Sequence, residues 1–97
     1  MLLNCMFNVS LELIKEYHQK SIYISETLRL LGRDNLIDYS GLEKNNVDRI
    51  IKTNHNNFEA LNHSLLSGEI MGKMMFWFIK KTVDMNYKTV KSMEKRK

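Results

Sequence analysis

The chain has 97 residues, of which 43% are hydrophobic and 27% are charged, and its formal net charge at neutral pH is +4. This composition excludes wholesale disorder, because disordered chains combine few apolar residues with a high net charge. The chain has no proline and four glycines, which favours long helices over a sheet with tight turns. Its length predicts one domain over residues 1–97.

The cysteine count and the apolar runs bear on location. Cys5 is the one cysteine, so no disulfide can form within the chain, and the cytoplasm is the expected location. The N-terminal stretch MLLNCMFNVS lacks the basic region and the small-residue cleavage site of a signal peptide. The apolar run at residues 70–79 is about half as long as the ~20 residues of a membrane-spanning helix.

The first predicted helix begins after Ser10, whose hydroxyl can accept a hydrogen bond from a free backbone N–H of the first turn. Apolar and small residues then recur at alternating three- and four-residue steps, as on the buried face of a helix. These residues are Ile14, Tyr17, Ser21, Ile24, Leu28 and Leu31. Gly32 follows them and is predicted to end the helix in a left-handed conformation.

The second predicted helix begins near Gly41, where Ser40 and Glu43 have the spacing of a capping box. Residues 33–41 are rich in Asp, Asn, Ser and Gly, so they are predicted to be the connection, with their apolar residues packed back on the core. The predicted apolar stripe of this helix contains Val47, Ile51, Phe58, Leu61 and Leu65, with Ile50 beside it.

Asn54 interrupts this stripe between Ile51 and Phe58. A polar residue in a seam between helices can fix their register or the choice of partner, at a cost in stability. Alternatively, Asn54 lies at the edge of the seam in contact with water, which is the interpretation we favour from the sequence.

The third predicted helix extends from about residue 68 to residue 93, after a corner marked by two glycines and with Ser67 as its N-cap. It carries two apolar faces. One face contains Phe76, Ile79, Val83, Tyr87 and Val90, and the other contains Met71, Met74, Phe78 and Met85. One helix cannot bury both faces against a helical hairpin. The predicted fold is therefore all-α, either a three-helix antiparallel bundle or a helical hairpin with a long bent C-terminal arm, with one face of the third helix left exposed.

The run MMFWFI at residues 74–79 is the candidate binding surface. Phe, Trp and Met are enriched at protein–protein interfaces, and methionine adapts to irregular partners. We expect part of the run to complete the core and the rest to bind a protein partner or a second copy of the chain. The predicted binding residues are Met71, Met74, Trp77, Phe78, Lys81 and Met85, with Trp77 as the anchor. In the alternative interpretation the whole run is core.

The charge is concentrated at the C-terminal end. Residues 68–97 contain eight Lys or Arg and three Asp or Glu, whereas residues 1–67 contain seven and eight. The predicted basic arm, residues 80–97, carries Lys80, Lys81, Lys88, Lys91, Lys95, Arg96 and Lys97. One interpretation is that this arm contacts nucleic-acid phosphates, and another is that it contacts an anionic membrane surface. In the plainest reading, the lysines offset the helix dipole and keep the tail in water.

One segment resembles an enzyme motif. In RIIKTNH, residues 49–55, Arg49 and His55 have a spacing that resembles the Arg-x(4–6)-His motif of the HEPN family of helical ribonucleases. The resemblance covers seven residues, and it implies that both side chains would act at a scissile phosphate, usually across a dimer.

Other signs of enzymatic chemistry are missing from the sequence. It has no Gly-rich phosphate loop, nucleophile elbow or paired carboxylates, so we expect a non-enzymatic interaction or regulatory protein without a small-molecule substrate. His18, His55 and His63 lack the spacing of a metal site, so neither a metal nor another cofactor is expected.

Overall fold

A computed structural model describes residues 9–33 and 41–95 of the chain. Within these residues the protein is all-α and has three helices, which are α1 (Leu11–Arg33), α2 (Gly41–Ser67) and α3 (Lys73–Glu94). The predicted all-α three-helix bundle is therefore confirmed.

Contacts between side chains fix the direction of α3 relative to α1. The ring of Tyr17 meets the ring of Phe76 edge-on at 5.2 Å between centroids, and Tyr23 meets Tyr87 at 5.3 Å. The residue that comes later in α1 contacts the residue that comes later in α3, so the two helices run in the same direction. The alternating up-down-up order of a three-helix bundle follows, because α2 must return between them.

The core lies where the three helices meet. All six predicted seam positions of α1 are buried, and α3 buries four of the five residues of its predicted core face and packs Tyr87 against them. Each large apolar side chain that is removed from water stabilises the fold by roughly 1.5–3 kcal/mol. The fully buried side chains of the core include Ile14, Ile24, Leu31, Val47, Ile50, Leu61, Val83 and Val90. Because α3 remains packed on the core as far as Met93, the described part of the predicted basic arm belongs to the bundle.

The seam of α2 includes Val47 and Leu61, as predicted, but Ile50 takes the place predicted for Ile51. Ile50 is buried, whereas Ile51, which was predicted to lie in the seam, is 46% exposed. Adjacent helical residues point about 100° apart, so only one of the two can face α1 and α3. Phe58 and Leu65 are partly buried at the margins of this seam.

Asn54 lies inside the seam, so the favoured prediction of a water-exposed residue is wrong. It is 2% exposed, and its Nδ2 donates to the Ser21 carbonyl oxygen at 3.2 Å and to Ser25 Oγ at 2.7 Å. A buried amide is tolerated when it is hydrogen-bonded, and here the bonds come from the neighbouring helix. Asn54 therefore joins α2 to α1 through its amide nitrogen, whereas its buried Oδ1 has no hydrogen-bond partner among the described residues.

The two ends of α1 differ in how well they were predicted. Ser10 Oγ accepts a hydrogen bond from the Leu13 backbone N–H at 3.3 Å, so the predicted N-cap is confirmed. Gly32 remains inside α1, and the prediction that it ends the helix is wrong. A glycine costs a helix only about 1 kcal/mol relative to alanine, so the helix can continue through it. The left-handed glycine is instead Gly68, with φ at 72°, directly after α2.

The predicted corner between α2 and α3 is present, but α3 begins later than predicted, at Lys73. Ser67 does not cap α3, because it remains the last residue of α2 and its Oγ accepts from the Glu69 N–H at 3.3 Å. The Val9 N–H donates to the Met71 carbonyl at 2.9 Å, which ties the corner to the segment before α1.

The start of α2 at Gly41 agrees with the prediction. The predicted capping box of Ser40 and Glu43 and the packing of the preceding connection depend on side chains that lie outside the described residues.

Candidate functional site

The first two turns of α3 carry apolar side chains on every side of the helix. Phe76 and Ile79 are buried in the core. The other members of the run remain at the surface, because a helix turns about 100° per residue and cannot direct six consecutive side chains inward. These exposed residues are Met74, Met75, Trp77 and Phe78.

Trp77 contacts two neighbours although it is 52% exposed. Its ring meets the Phe78 ring edge-on at 5.2 Å between centroids. The Lys81 ammonium lies 5.1 Å from the centroid of the same indole, within the range of a cation–π contact. An aromatic side chain that is already oriented loses less conformational freedom when a partner covers it.

A shallow groove runs along this part of α3. It has a volume of about 370 Å³ and is lined by Lys73, Met74, Trp77 and Phe78. The lining is apolar apart from one lysine at the edge, which is the arrangement of an interface with an apolar centre and a polar rim.

The exposed apolar surface extends beyond the predicted residues, onto the corner itself. Leu66 is 80% exposed and Ile70 is 52% exposed, and with Met75 they enlarge the surface that the sequence predicted. We call this surface the corner patch. It contains Leu66, Ile70, Met74, Met75, Trp77 and Phe78. The signal that could have found the first two is their position beside Gly68 and Gly72, since apolar residues at a tight corner have few neighbours to cover them.

Five of the six predicted binding residues lie on the outer side of α3. Lys81 and Met85 are exposed and continue the line that Met74 and Phe78 begin. The placement of Met71 on this surface is wrong. Met71 is 6% exposed and belongs to the core, because it lies in the corner before α3 begins and does not follow the periodicity of that helix.

The predicted basic residues lie along the exposed side of α3. Lys80, Lys81, Lys88 and Lys95 are exposed, and none of them forms an ion pair with another described residue. Their positive charge is therefore not neutralised within the described part of the bundle. Arg96 and Lys97 lie outside the described residues.

Lys91 differs from the other lysines of α3 because it contacts α1. Its Nζ lies 5.1 Å from the centroid of Tyr23 and 5.5 Å from that of Tyr87. A hydrogen bond with Tyr23 raises the pKa of Lys91 above its ordinary value, and the negative charges that Tyr23 and Tyr87 acquire on ionisation act in the same direction. Tyr23 also donates a hydrogen bond to Glu94. The amine of Lys91 therefore helps to hold α3 against α1.

A polar contact between α1 and α3 borders the core. The Tyr17 hydroxyl donates to Asp84 Oδ2 at 3.2 Å, and Lys20 Nζ lies 3.5 Å from Asp84 Oδ1. Burial raises the pKa of Tyr17 to about 12, and the negative charge of Asp84 and its hydrogen bond contribute to the same shift. Tyr17 therefore stays neutral well above the pH at which a free tyrosine ionises.

Arg49 and His55 are not brought together within one copy of the chain. They are six residues apart on α2, which places them about 120° apart around the helix axis. His55 and Arg29 line a groove of about 390 Å³ between α1 and α2, but Arg49 does not line it. His55 Nε2 lies 4.0 Å from Glu59 Oε1 instead.

Two further findings concern metal binding and membrane crossing by the described residues. No group of three or more His, Cys, Asp or Glu side chains among them could hold a metal ion. Of the helices formed by residues 11–33, 41–67 and 73–94, none has both the length and the apolar content to cross a membrane.

Comparisons with protein-family models, with curated proteins and with solved structures gave no match. No relative therefore supplies a function, and the chemistry of the surface alone bears on it.

Proposed function

We propose that this protein is a small non-enzymatic interaction or regulatory protein, and that it binds another protein through the corner patch and the outer side of α3. The observation that carries the proposal is the exposure of Trp77 and Phe78, at 52% and 61%, beside other large apolar side chains. Tryptophan and other aromatic residues dominate the binding energy of protein interfaces.

The size of the corner patch supports a protein partner. Its six side chains are each at least half exposed. Since an aromatic side chain has roughly 150–250 Å² of surface and an aliphatic one has roughly half as much, the six leave on the order of 500–600 Å² of apolar surface in contact with water. A typical monomer exposes a largest patch of about 300–600 Å², whereas each partner of a standard interface buries about 800 Å². The corner patch is therefore at the upper end of the range for a monomer, and it is large enough for one side of a small interface.

The residues of this surface have distinct roles in the proposal. Trp77 is the anchor, and Phe78 and Lys81 hold its ring in the orientation that the partner meets. Met74 and Met85 lie on either side and adapt to the shape of the partner, because the unbranched thioether side chain is flexible. The lysines at the edge supply the polar rim.

A second candidate function is nucleic-acid binding through Lys80, Lys81, Lys88 and Lys95, because none of these exposed amines is ion-paired with a described residue. Binding through phosphates would weaken steeply with salt. Titration of a labelled duplex and a labelled single strand at low and moderate salt tests it. It ranks second because phosphate contacts alone would leave the corner patch in water.

The proposed function is tested with the affinity-tagged chain and two variants that add the same charge at different places. Phe78→Glu places a carboxylate in the corner patch, whereas Gln19→Glu places one at an exposed position of α1, away from the proposed surface. Each is incubated with lysate of the native host, and the retained proteins are compared. We expect a protein to be retained by the unchanged chain and by Gln19→Glu but not by Phe78→Glu. Equal retention by all three would contradict the proposal.

A further inference from the structure

We infer that the protein that covers the corner patch is a second copy of this chain, bound across a two-fold axis; this inference rests on the proposed function. In such a dimer the same surface is used by both copies, so residue i of one copy contacts residue j of the other and the reverse. A surface that serves this arrangement must be complementary to itself in shape, polarity and charge.

The area of the corner patch meets the first requirement. Two patches of on the order of 500–600 Å² would together bury about 1,000–1,200 Å², which is at the lower end of the areas of specific interfaces. The side chains are three methionine or leucine residues, one isoleucine and two aromatic residues, and such apolar surfaces complement each other without a specific polar pairing. The structure is consistent with an apolar centre around Trp77 and Phe78.

The charges of the corner meet the second requirement. Glu69 and Lys73 are the charged residues in the segment 66–78, and they have opposite signs. Both are exposed, and neither forms an ion pair with another described residue. Across a two-fold axis, Glu69 of one copy can face Lys73 of the other, and the pair occurs twice. The segment is neutral, and Lys81, which lies over the Trp77 ring, is at the edge of the contact.

The positions of the other lysines favour a second copy over an anionic occupant. Lys80, Lys81, Lys88 and Lys95 follow the corner patch along α3 and are not part of it. A nucleic acid would be drawn to the lysines and would leave the patch exposed. A helix that lies flat on a membrane buries an apolar side along its length, whereas the exposed residues of α3 beyond Met85 are all polar or charged.

The oligomeric state of the purified full-length chain tests the inference. We expect sedimentation equilibrium at micromolar concentrations to give twice the 11.5 kDa mass of one chain. Phe78→Glu and Met75→Glu should each weaken dimerisation by about 100-fold or more, because they bury a carboxylate in an apolar interface. Gln19→Glu should leave the dissociation constant within about threefold, as expected for a surface change away from the contact. Thermal melts show whether each variant remains folded.

A charge exchange tests the two-fold arrangement itself. Glu69→Lys gives each copy two lysines in the corner, and Lys73→Glu gives each copy two glutamates. Each variant alone should dimerise about tenfold more weakly than the unchanged chain, because like charges would face each other. A mixture of the two variants should regain the original affinity as a heterodimer, since both opposite-charge pairs are restored.

The outcomes separate this inference from the proposed function. A monomeric chain, or a dimer that neither Phe78→Glu nor Met75→Glu weakens, overturns the second copy as partner. If the monomer still retains another protein from lysate in a Phe78-dependent manner, the proposed function stands without it. If the monomer retains none, both fail. Binding of the monomer to phosphatidylglycerol vesicles that is lost in Phe78→Glu also overturns both, in favour of a lipid surface.

Discussion

The inner and outer sides of α3 are built from the same kinds of residue but have different environments. Phe76 and Ile79 are buried, whereas Trp77 and Phe78, their immediate neighbours, are more than half exposed. Hydrophobicity alone cannot distinguish the two pairs, because all four are large and apolar. The difference comes from the angle around the helix, since only one side of α3 can face α1 and α2.

This comparison also separates stability from binding. The inner side contributes to the folding free energy whatever partner is present, whereas the outer side can contribute only when something covers it. Substitutions on the two sides should therefore change different measurements, and the predictions below use that difference.

The largest effect is expected on the inner side. Ile79→Ala should lower the free energy of unfolding by about 2–5 kcal/mol, because it removes a buried side chain and leaves a cavity. Urea or thermal unfolding followed by circular dichroism measures it. Met74→Ala, on the exposed side of the same helix, is the control and should change the free energy of unfolding by no more than about 0.5 kcal/mol. Equal losses in both variants would show that the two sides do not differ as described.

The next effect is on binding. Trp77→Ala should weaken association with the partner by roughly 2 kcal/mol or more, because a tryptophan anchor loses its whole ring. Its free energy of unfolding should change far less than that of Ile79→Ala, because the ring is 52% exposed in the isolated chain. Sedimentation and thermal melts of the same samples provide both values. If Trp77→Ala costs as much stability as Ile79→Ala, Trp77 belongs to the core and the binding surface loses its centre.

A smaller effect is expected where Tyr17 contacts Asp84 at the edge of the core. The pKa of Tyr17 is raised to about 12 in the folded chain, against about 10 for a free tyrosine. Because the folded-state pKa is the higher one, the stabilisation is fully present below pH 10 and is lost as the pH rises through 12. At pH 11 the loss from this group should be roughly 1.4 kcal/mol.

Tyr17→Phe isolates this contribution from the other groups that titrate at alkaline pH. The free energy of unfolding, measured with urea at pH 9 and pH 11, should fall more in the unchanged chain than in Tyr17→Phe. The same fall in both chains would mean that the ionisation of Tyr17 is not coupled to folding.

The sequence predicted the regularly repeating faces of the helices well, but it predicted the environments of Asn54 and Met71 wrongly. The buried faces of α1 and α3 follow from spacing, because a regular helix repeats its environment every three or four residues. Asn54 was assigned to the wrong environment because its burial depends on hydrogen bonds to Ser21 and Ser25, which are distant in sequence. Met71 was assigned to the outer side because the start of α3 was placed too early.

In the candidate site too, residues that follow the helical repeat were predicted and residues outside it were not. The outward direction of Met74, Trp77 and Phe78 could be predicted once the inner face of α3 was known. The contributions of Leu66 and Ile70 could not, because they lie at the corner, where the helical repeat no longer relates one residue to the next. Their exposure depends on how α2 and α3 meet, which is a property of the packed bundle.

The smallest predicted effect concerns the orientation of the anchor. The Lys81 ammonium lies 5.1 Å from the centroid of the Trp77 ring, and an exposed cation–π contact of this kind is worth about 0.5–1 kcal/mol. Lys81→Met keeps an unbranched stem of similar length but removes the charge. We expect it to weaken association by no more than about 1 kcal/mol, because the ring loses its orientation and not its area. Lys88→Met removes the same charge about two helical turns beyond Lys81. It should leave both association and Trp77 fluorescence anisotropy unchanged. If the two variants weaken association equally, the role of Lys81 is that of a general positive charge, and the indole does not depend on it for its orientation.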